Sequence, residues 1–178
     1  MLIETERQKT IVLDTSAFIA GFDPFAIQNP SYTVPEVKDE LTTNSWPATR
    51  FSTAVESGKL KVKTPKPEYV GRVKASSKAV GDLLFLSEAD RQVLALALEL
   101  QDAGCKPQIV TDDYSIQNVA NQLGIGFAPL ITFGIRYRFR WTLYCPACHR
   151  KYPADHKSKH CEICGTELKR KPLRKAPV

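Results

Sequence analysis

Between residues 10 and 128 the hydrophobic and polar positions switch repeatedly between two periods. Residues 10–14, Thr-Ile-Val-Leu-Asp, are a short β-branched run that ends on a carboxylate, which predicts a buried strand. Residues 31–34, Ser-Tyr-Thr-Val, predict a second strand, and 59–63, Lys-Leu-Lys-Val-Lys, alternate as a half-buried strand does. Two more strands are predicted at 108–111 and 125–127. Between them the period lengthens, and helices are predicted at 15–20, from Pro35 to about Leu41, and at 46–57, 68–80, 88–103 and 114–123. Pro35 suits a first helical turn, and Gly58, Gly104 and Gly124 stand where helices should stop. The 88–103 segment carries Val93, Leu94, Leu96, Ala97, Leu98 and Leu100, so it is apolar nearly all round and should be buried. Ser87 is its expected N-cap and Asp90 its N3 residue. Strands alternating with helices predict an α/β fold with a mostly parallel sheet covered on both faces.

After Phe133 the pattern changes. Ile135, Tyr137, Phe139, Trp141 and Leu143 alternate with Arg136, Arg138, Arg140, Thr142 and Tyr144. This predicts a strand with one apolar and one basic face. Cys145 and Cys148 are separated by two residues, as are Cys161 and Cys164, with 12 residues between the pairs. Two such turns aim four thiolates at one point and complete a tetrahedron around Zn²⁺; Gly165 eases the second turn. Two disulfides are the alternative, disfavoured in a reducing compartment. Four cysteines close the site, so this zinc is structural. Cys105 is left over as a small hydrophobe. His149, His156 and His160 lie in the same module and read as surface residues rather than ligands.

Charge sharpens the division. The chain of 178 residues has 25 Lys/Arg and 19 Asp/Glu, a net charge of +6. Residues 134–178 hold 12 Lys/Arg against three Asp/Glu, whereas residues 1–133 hold 13 against 16. A basic end on a mildly acidic body suggests a polyanionic partner, solubility being the plainer reading. The final residues from Lys169, Lys-Arg-Lys-Pro-Leu-Arg-Lys, are too charged to fold alone. No apolar run reaches the length of a membrane span and the first residues have no signal-peptide core, so a cytoplasmic protein is expected.

The body's candidate chemistry is acidic. With every histidine in the cysteine module, a Ser-His-Asp or Cys-His site would need a residue from outside the body, and no phosphate-cradling glycine loop is present. Instead Asp14 closes the first strand, Asp112 and Asp113 follow the strand ending at Thr111, Asp90 opens the buried helix and Glu40 follows the second strand. In a doubly wound sheet the carboxyl ends of the strands meet at one crevice. Carboxylates gathered there repel one another unless a hard divalent cation joins them. Singly, each has a plainer reading: Asp14 and Asp113 as N-caps, Asp90 as a dipole partner, Glu40 as a solvated helix residue.

Four segments resemble the motifs of PIN-domain nucleases: Val-Leu-Asp14-Thr-Ser-Ala-Phe-Ile, Val34-Pro-Glu-Val-Lys-Asp-Glu40-Leu, Leu86-Ser-Glu-Ala-Asp90 and Val110-Thr-Asp-Asp113. A PIN domain followed by a four-cysteine ribbon is similar to the Nob-one (Nin-one-binding protein) family of ribosome-maturation endonucleases in its archaeal form. The run from Tyr114 to Gly124 also resembles that family. The resemblance implies a PIN-like α/β/α sandwich over residues 1–133, a short connection at 134–140, a small β zinc ribbon at 141–168 and a basic tail at 169–178. It implies metal-dependent cleavage of precursor small-subunit ribosomal RNA at its 3′ end within the pre-ribosomal subunit, beside ribosome assembly factors. Asp14, Glu40, Asp90 and Asp113 would bind Mn²⁺ or Mg²⁺, with support from Ser16, Thr111 and Asp112; the motif is Thr-x-Asp, and the adjacent aspartates leave the choice between 112 and 113 open. RNA contacts are expected from Arg136, Arg138, Arg140, Arg150, Lys151, Lys157, Lys159, Lys169, Arg170 and Lys171. Tyr144 or Tyr152 could stack on bases, whereas Tyr137, Phe139 and Trp141 read as packing on the apolar strand face. The rival functions are a toxin-type PIN ribonuclease and a non-catalytic RNA-binding assembly factor.

Overall fold

A computed structural model describes residues 7–131, 134–135 and 137–177, with side chains for all of these except 138 and 174–177. Five strands form the first sheet: β1 (Lys9–Leu13), β2 (Ser31–Thr33), β3 (Leu60–Val62), β4 (Lys106–Val110) and β5 (Gly126–Ala128). Their order is β3-β2-β1-β4-β5 and every pairing is parallel. Six helices connect or follow them: α1 (Thr15–Ile19), α2 (Pro35–Glu40), α3 (Trp46–Glu56), α4 (Pro67–Val80), α5 (Glu88–Asp102) and α6 (Tyr114–Gln122). Each element lies within about two residues of its expected place. Two single-turn 3₁₀ segments, Pro24–Ala26 and Leu83–Phe85, are additional.

The core forms where the patterns meet. Val12, Leu13, Ile109 and Val110 of the central strands are buried against Val93, Leu94, Leu96 and Ala97 of α5 and Ile116 and Val119 of α6. As expected from its apolar circumference, α5 is largely enclosed, with residues 93–100 all buried, and Ser87 and Asp90 close its start as a reciprocal capping box. The chain lays β2 and β3 on one side of β1, then crosses to lay β4 and β5 on the other. Strand order therefore reverses between β1 and β4, and the crevice at their carboxyl ends is where open α/β sheets bind ligands.

The C-terminal region is a second, antiparallel sheet of β6 (Tyr137–Tyr144), β7 (Lys151–Tyr152) and β8 (Lys169–Pro177), ordered β7-β6-β8. Two expected boundaries differ. Strand β6 begins inside the segment 134–140 taken as a connection, and 169–177 is a strand paired along β6 rather than a tail. The charged run is ordered because β6 supplies its backbone partners, and Pro172, which cannot donate to a ladder, sits opposite Trp141 at an irregularity in the register on an edge strand. Leu143, Cys145, Tyr152, Cys161 and Leu168 form a small second core, and Leu84 and Phe85 of the body pack against it. At the joint, Gly81 is left-handed at φ +83, and a Cβ there would stand 2.9 Å from the Trp141 carbonyl oxygen. Only glycine suits both the backbone angle and the approach. Among the described residues no helix is long and apolar enough to cross a membrane.

Candidate active site

Asp14 follows β1 and caps α1, where it is 3% exposed. Its Oδ2 accepts hydrogen bonds from the Ser16 hydroxyl at 2.8 Å, the Ser16 N–H at 3.4 Å and the Thr111 hydroxyl at 2.9 Å. Thr111 follows β4 and is fully buried; its Oγ1 also accepts the Asp113 N–H at 3.0 Å. Ser16 Oγ accepts the Asp112 N–H at 3.0 Å. Two hydroxyls, those of Ser16 and Thr111, thus tie the ends of β1 and β4 together across the switch point.

The adjacent aspartates differ in what they hold. Asp113 caps α6, its Oδ1 accepting the N–H groups of Ser115 at 2.6 Å and Ile116 at 3.3 Å. Asp112 accepts the N–H groups of Leu130 and Ile131, both at 3.0 Å, and so tethers the segment after β5. Glu40, at the end of α2, accepts from the Thr15 hydroxyl at 2.5 Å and from the Ser87 hydroxyl at 3.0 Å. Asp90 accepts the Ser87 N–H at 2.6 Å. Helix-capping and site-building are therefore the same contacts for Asp14, Asp90 and Asp113. Thr15 and Ser87 were not singled out as site residues; their signals are adjacency to Asp14 and the N-cap position of the helix that carries Asp90.

The carboxylates feel one another. Burial pushes the Asp14 carboxyl above its ordinary value, against the pull of the Ser16 and Thr111 hydroxyls. Asp90 is pushed up to about 6, first by burial and then by the charges of Asp14 and Asp113. Asp82, buried at the end of α4, is also pushed up to about 6, chiefly by burial. All three bind a proton more tightly folded than unfolded, so each contributes stability that grows as pH falls from neutrality through 6 toward 4. The opposite shifts at Glu88 and Glu99 act only below their ordinary value near 4.5, and the opposite shift at the Cys161 thiol, which would act in the same window, is suspended when zinc holds the thiolates. Thermal midpoints of the zinc-loaded chain without Mn²⁺ or Mg²⁺ should therefore rise between pH 7.5 and 6.0; a fall would refute the carboxylate repulsion.

The cysteines form a tighter group. Cys145, Cys148, Cys161 and Cys164 place their four sulfurs within 4.8 Å of one another, the single such group of three or more potential ligands among the described residues. The Cys145–Cys164 and Cys148–Cys161 sulfur pairs are 3.4 and 3.5 Å apart. A tetrahedron with Zn–S bonds of about 2.3 Å has edges of roughly 3.8 Å, so the donor set suits zinc in both chemistry and size. The two turns are alike: His149 N–H donates to the Cys145 carbonyl, and Gly165 N–H, at φ +72, donates to the Cys161 carbonyl. The Tyr152 hydroxyl, 3.1 Å from Cys161 Sγ, is the main influence holding that thiol down to about 6. The three histidines lie outside the group; His149 and His160 are exposed, but His156, expected at the surface, is largely buried with its ring 4.5 Å from that of Tyr152.

The basic residues divide. On the paired strands Lys151 and Lys169 both stand opposite Tyr144, and Lys171 stands opposite Thr142. Directly opposed residues of an antiparallel sheet share a face. Lys151, Lys169, Lys171, Arg140 and Arg150 are exposed and Tyr144 is half-buried between the two lysines; Lys157 and Lys159 are exposed in the ribbon. Arg136 lies outside the described residues, and of Arg138 only the backbone is described. Two expectations fail. Arg170 is half-buried rather than exposed: alternation turns it inward, opposite Leu143, where it binds Asp82. Tyr152 is 5% exposed with its hydroxyl engaged by Cys161 and by the Glu162 N–H, so it cannot stack on a base. Phe139 and Trp141 stack on each other with centroids 4.9 Å apart, in keeping with packing on the inner strand face.

Comparison with known proteins bears on this geometry. A family model for the PIN domain of ribonuclease matches residues 11–100, which include Asp14, Glu40 and Asp90. The chain is 39% identical over 160 residues to Endoribonuclease Nob1 of Methanothermobacter thermautotrophicus, covering 90% of this chain and 91% of that one. It is 39% identical over 163 residues to Endoribonuclease Nob1 of Methanocaldococcus jannaschii, covering 92% and 78%. It is also 35% identical over 162 residues to Ribonuclease VapC1 of Thermoplasma acidophilum, covering 89% and 76%. These matches run through Asp113 and into the ribbon, and with the parallel sheet, the acidic crevice and the four-sulfur cluster they make this chain a member of the Nob1 family of PIN-domain endoribonucleases.

Proposed function

We propose that the chain cleaves precursor small-subunit ribosomal RNA at its 3′ end, with Asp14, Glu40, Asp90 and Asp113 holding Mn²⁺ or Mg²⁺ and the ribbon holding the RNA. The observation that carries the cation site is the set of carboxylates at the switch point, where burial pushes Asp14 toward protonation and burial with the charges of Asp14 and Asp113 does the same to Asp90. Oxygen donors suit hard divalent ions, and a bound cation relieves the same burial and repulsion that raise the proton affinity of Asp14 and Asp90. A cation held there supplies an activated water and stabilises the charge developing on the phosphodiester. Ser16 and Thr111 keep the Asp14 carboxylate oriented, and Thr15 and Ser87 do the same for Glu40. Asp113 rather than Asp112 is the fourth ligand, because residues 130 and 131 donate to both oxygens of Asp112, whereas the N–H groups of Ser115 and Ile116 engage Oδ1 of Asp113 and the charge of Asp113 acts on Asp90. Cutting leaves a 3′-hydroxyl and a 5′-phosphate. In the ribbon, four thiolates hold Zn²⁺.

The row Lys151–Tyr144–Lys169 with Lys171, Arg140 and Arg150 gives the RNA a basic face with one aromatic at its centre. If about five of these cations meet phosphates on single-stranded RNA, the logarithm of affinity should fall with the logarithm of salt at a slope of about −3.5. A flat titration would remove the ribbon from RNA binding. The reading as a whole is tested by incubating the zinc-loaded chain with an end-labelled RNA spanning the 3′ end of the small-subunit rRNA and Mn²⁺. One cut at the mature end supports it; equal cutting of transfer or messenger RNA would favour the toxin-type substrate that a relative's VapC name suggests.

A further inference from the structure

Arg170 is the one expected phosphate-binding cation that the structure turns inward among the described side chains, and its surroundings are elaborate. Its guanidinium donates to Asp82 Oδ1 at 2.5 Å and to Ser115 Oγ at 3.2 Å, and lies over the rings of Phe85 at 4.1 Å and Trp141 at 5.0 Å. The Asp82 side chain is completely buried. Its other oxygen accepts from the Asn118 amide at 2.6 Å. Asn118 in turn accepts the Phe139 N–H at 2.8 Å and donates to the Phe139 carbonyl at 3.0 Å, as a neighbouring strand would. Four parts of the chain meet at this ion pair: the end of α4, the first turns of α6, β6 and β8.

We infer that the Asp82–Arg170 pair is a latch fixing the ribbon to the nuclease body, and that the fixed ribbon acts as a ruler choosing which phosphodiester reaches the carboxylates. The inference rests on the proposed roles of the carboxylates and the basic face. A buried ion pair contributes little net stability against an apolar replacement, but it specifies one arrangement, because each charge tolerates only the other as neighbour. Here the arrangement matters for position. Ser115, which Arg170 touches, donates its N–H to Asp113, so two hydrogen bonds separate the latch from the candidate site. Lys169 and Lys171 flank Arg170 on the opposite face of the same strand, so the residue that locks the ribbon and the residues that meet RNA share one backbone. The close approach at Gly81 leaves no room for the ribbon to shift toward α4. RNA lying on Lys151, Tyr144 and Lys169 is thereby held at one distance from Asp14 and Asp113. Arg170 and Asp82 are positioning residues, not catalytic ones.

The test compares the full zinc-loaded wild type with Arg170→Gln and with the double variant Asp82→Asn/Arg170→Gln, which leaves no buried charge unpaired and keeps the experiment valid should the single variant misfold. Amide ¹⁵N relaxation reads whether ribbon and body tumble together, and sequencing-gel mapping of the end-labelled rRNA fragment reads where cuts fall. The expected result is one tumbling time and one cut for the wild type. In a variant the expected result is a separate, faster ribbon and cuts spread over neighbouring phosphodiesters. Joint tumbling in the double variant overturns the latch, and a released ribbon with the single cut retained overturns the ruler. If the wild type cuts nothing, the nuclease reading has failed, and the tumbling comparison still decides the latch.

Discussion

Replacing Asp14 by Asn is expected to abolish cleavage while leaving the zinc-loaded chain, without Mn²⁺ or Mg²⁺, folded and more stable than the wild type near neutral pH. The side chains are nearly equal in size, so the pocket under Ser16 and Thr111 is not emptied. What disappears is a charge that burial disfavours and that raises the proton affinity of Asp90. The same charge is what a cation needs. Removing several kcal/mol of transition-state stabilisation corresponds to a loss of about a thousandfold or more in rate. Cleavage assayed over a range of Mn²⁺, together with a thermal midpoint for the zinc-loaded protein without Mn²⁺ or Mg²⁺, checks both halves. Substantial cutting by the variant would remove Asp14 from the site. A drop in stability would show that the carboxylates are held by more than they repel. Gains in stability bought by removing active-site charge are a general pattern, and the crevice here has the composition to show it.

Chelating the ribbon's metal, or replacing Cys161 by Ala, is expected to unfold residues 145–168 and leave the five-stranded sheet standing. The ribbon's core is five buried side chains, two of them cysteines that the metal would hold. Structural zinc in small modules supplies about 10–16 kcal/mol at neutral pH, far more than so few buried groups provide. The body has its own continuous core and needs no such support. Limited proteolysis after chelation should therefore leave a resistant fragment ending before the ribbon, and zinc content per chain should fall in step. Leu84 and Phe85, which pack against the ribbon core, would become exposed and should bind an apolar dye. A chain that unfolds as a whole, or one that resists digestion throughout, would contradict the division.

The body was legible in the sequence because its patterns are local. Thr10-Ile-Val-Leu and Gln108-Ile-Val read as strands by β-branching, and Ser87 and Asp90 announced the start of the buried helix. The carboxylates were legible by place: strands that end in Asp in a parallel fold must deliver them to one crevice. What escaped was non-local or too short. Three residues at 83–85 have no period to detect. The run from Lys169 lacks any alternation of polarity, so neither its pairing with β6 nor the inward turn of Arg170 could be seen; both depend on a partner strand and on Asp82, 88 residues away. Tyr152 looked exposed because nothing in a two-residue strand tells that its hydroxyl meets a cysteine sulfur.

That long separation has a consequence for the order in which the molecule is made. A chain emerging from its N-terminus completes the parallel sheet when Ala128 appears, and by then all four candidate carboxylates are in place. Asp82 is then already part of the folded body, yet its guanidinium partner belongs to β8 and arrives after the whole ribbon. Until it does, a carboxyl that the finished protein buries completely must stay wet or protonated, and the surface around Phe85 and Asn118 stays open. Domains fold as units during synthesis, and contacts closing long loops come late. The nuclease is thus built first and aimed last.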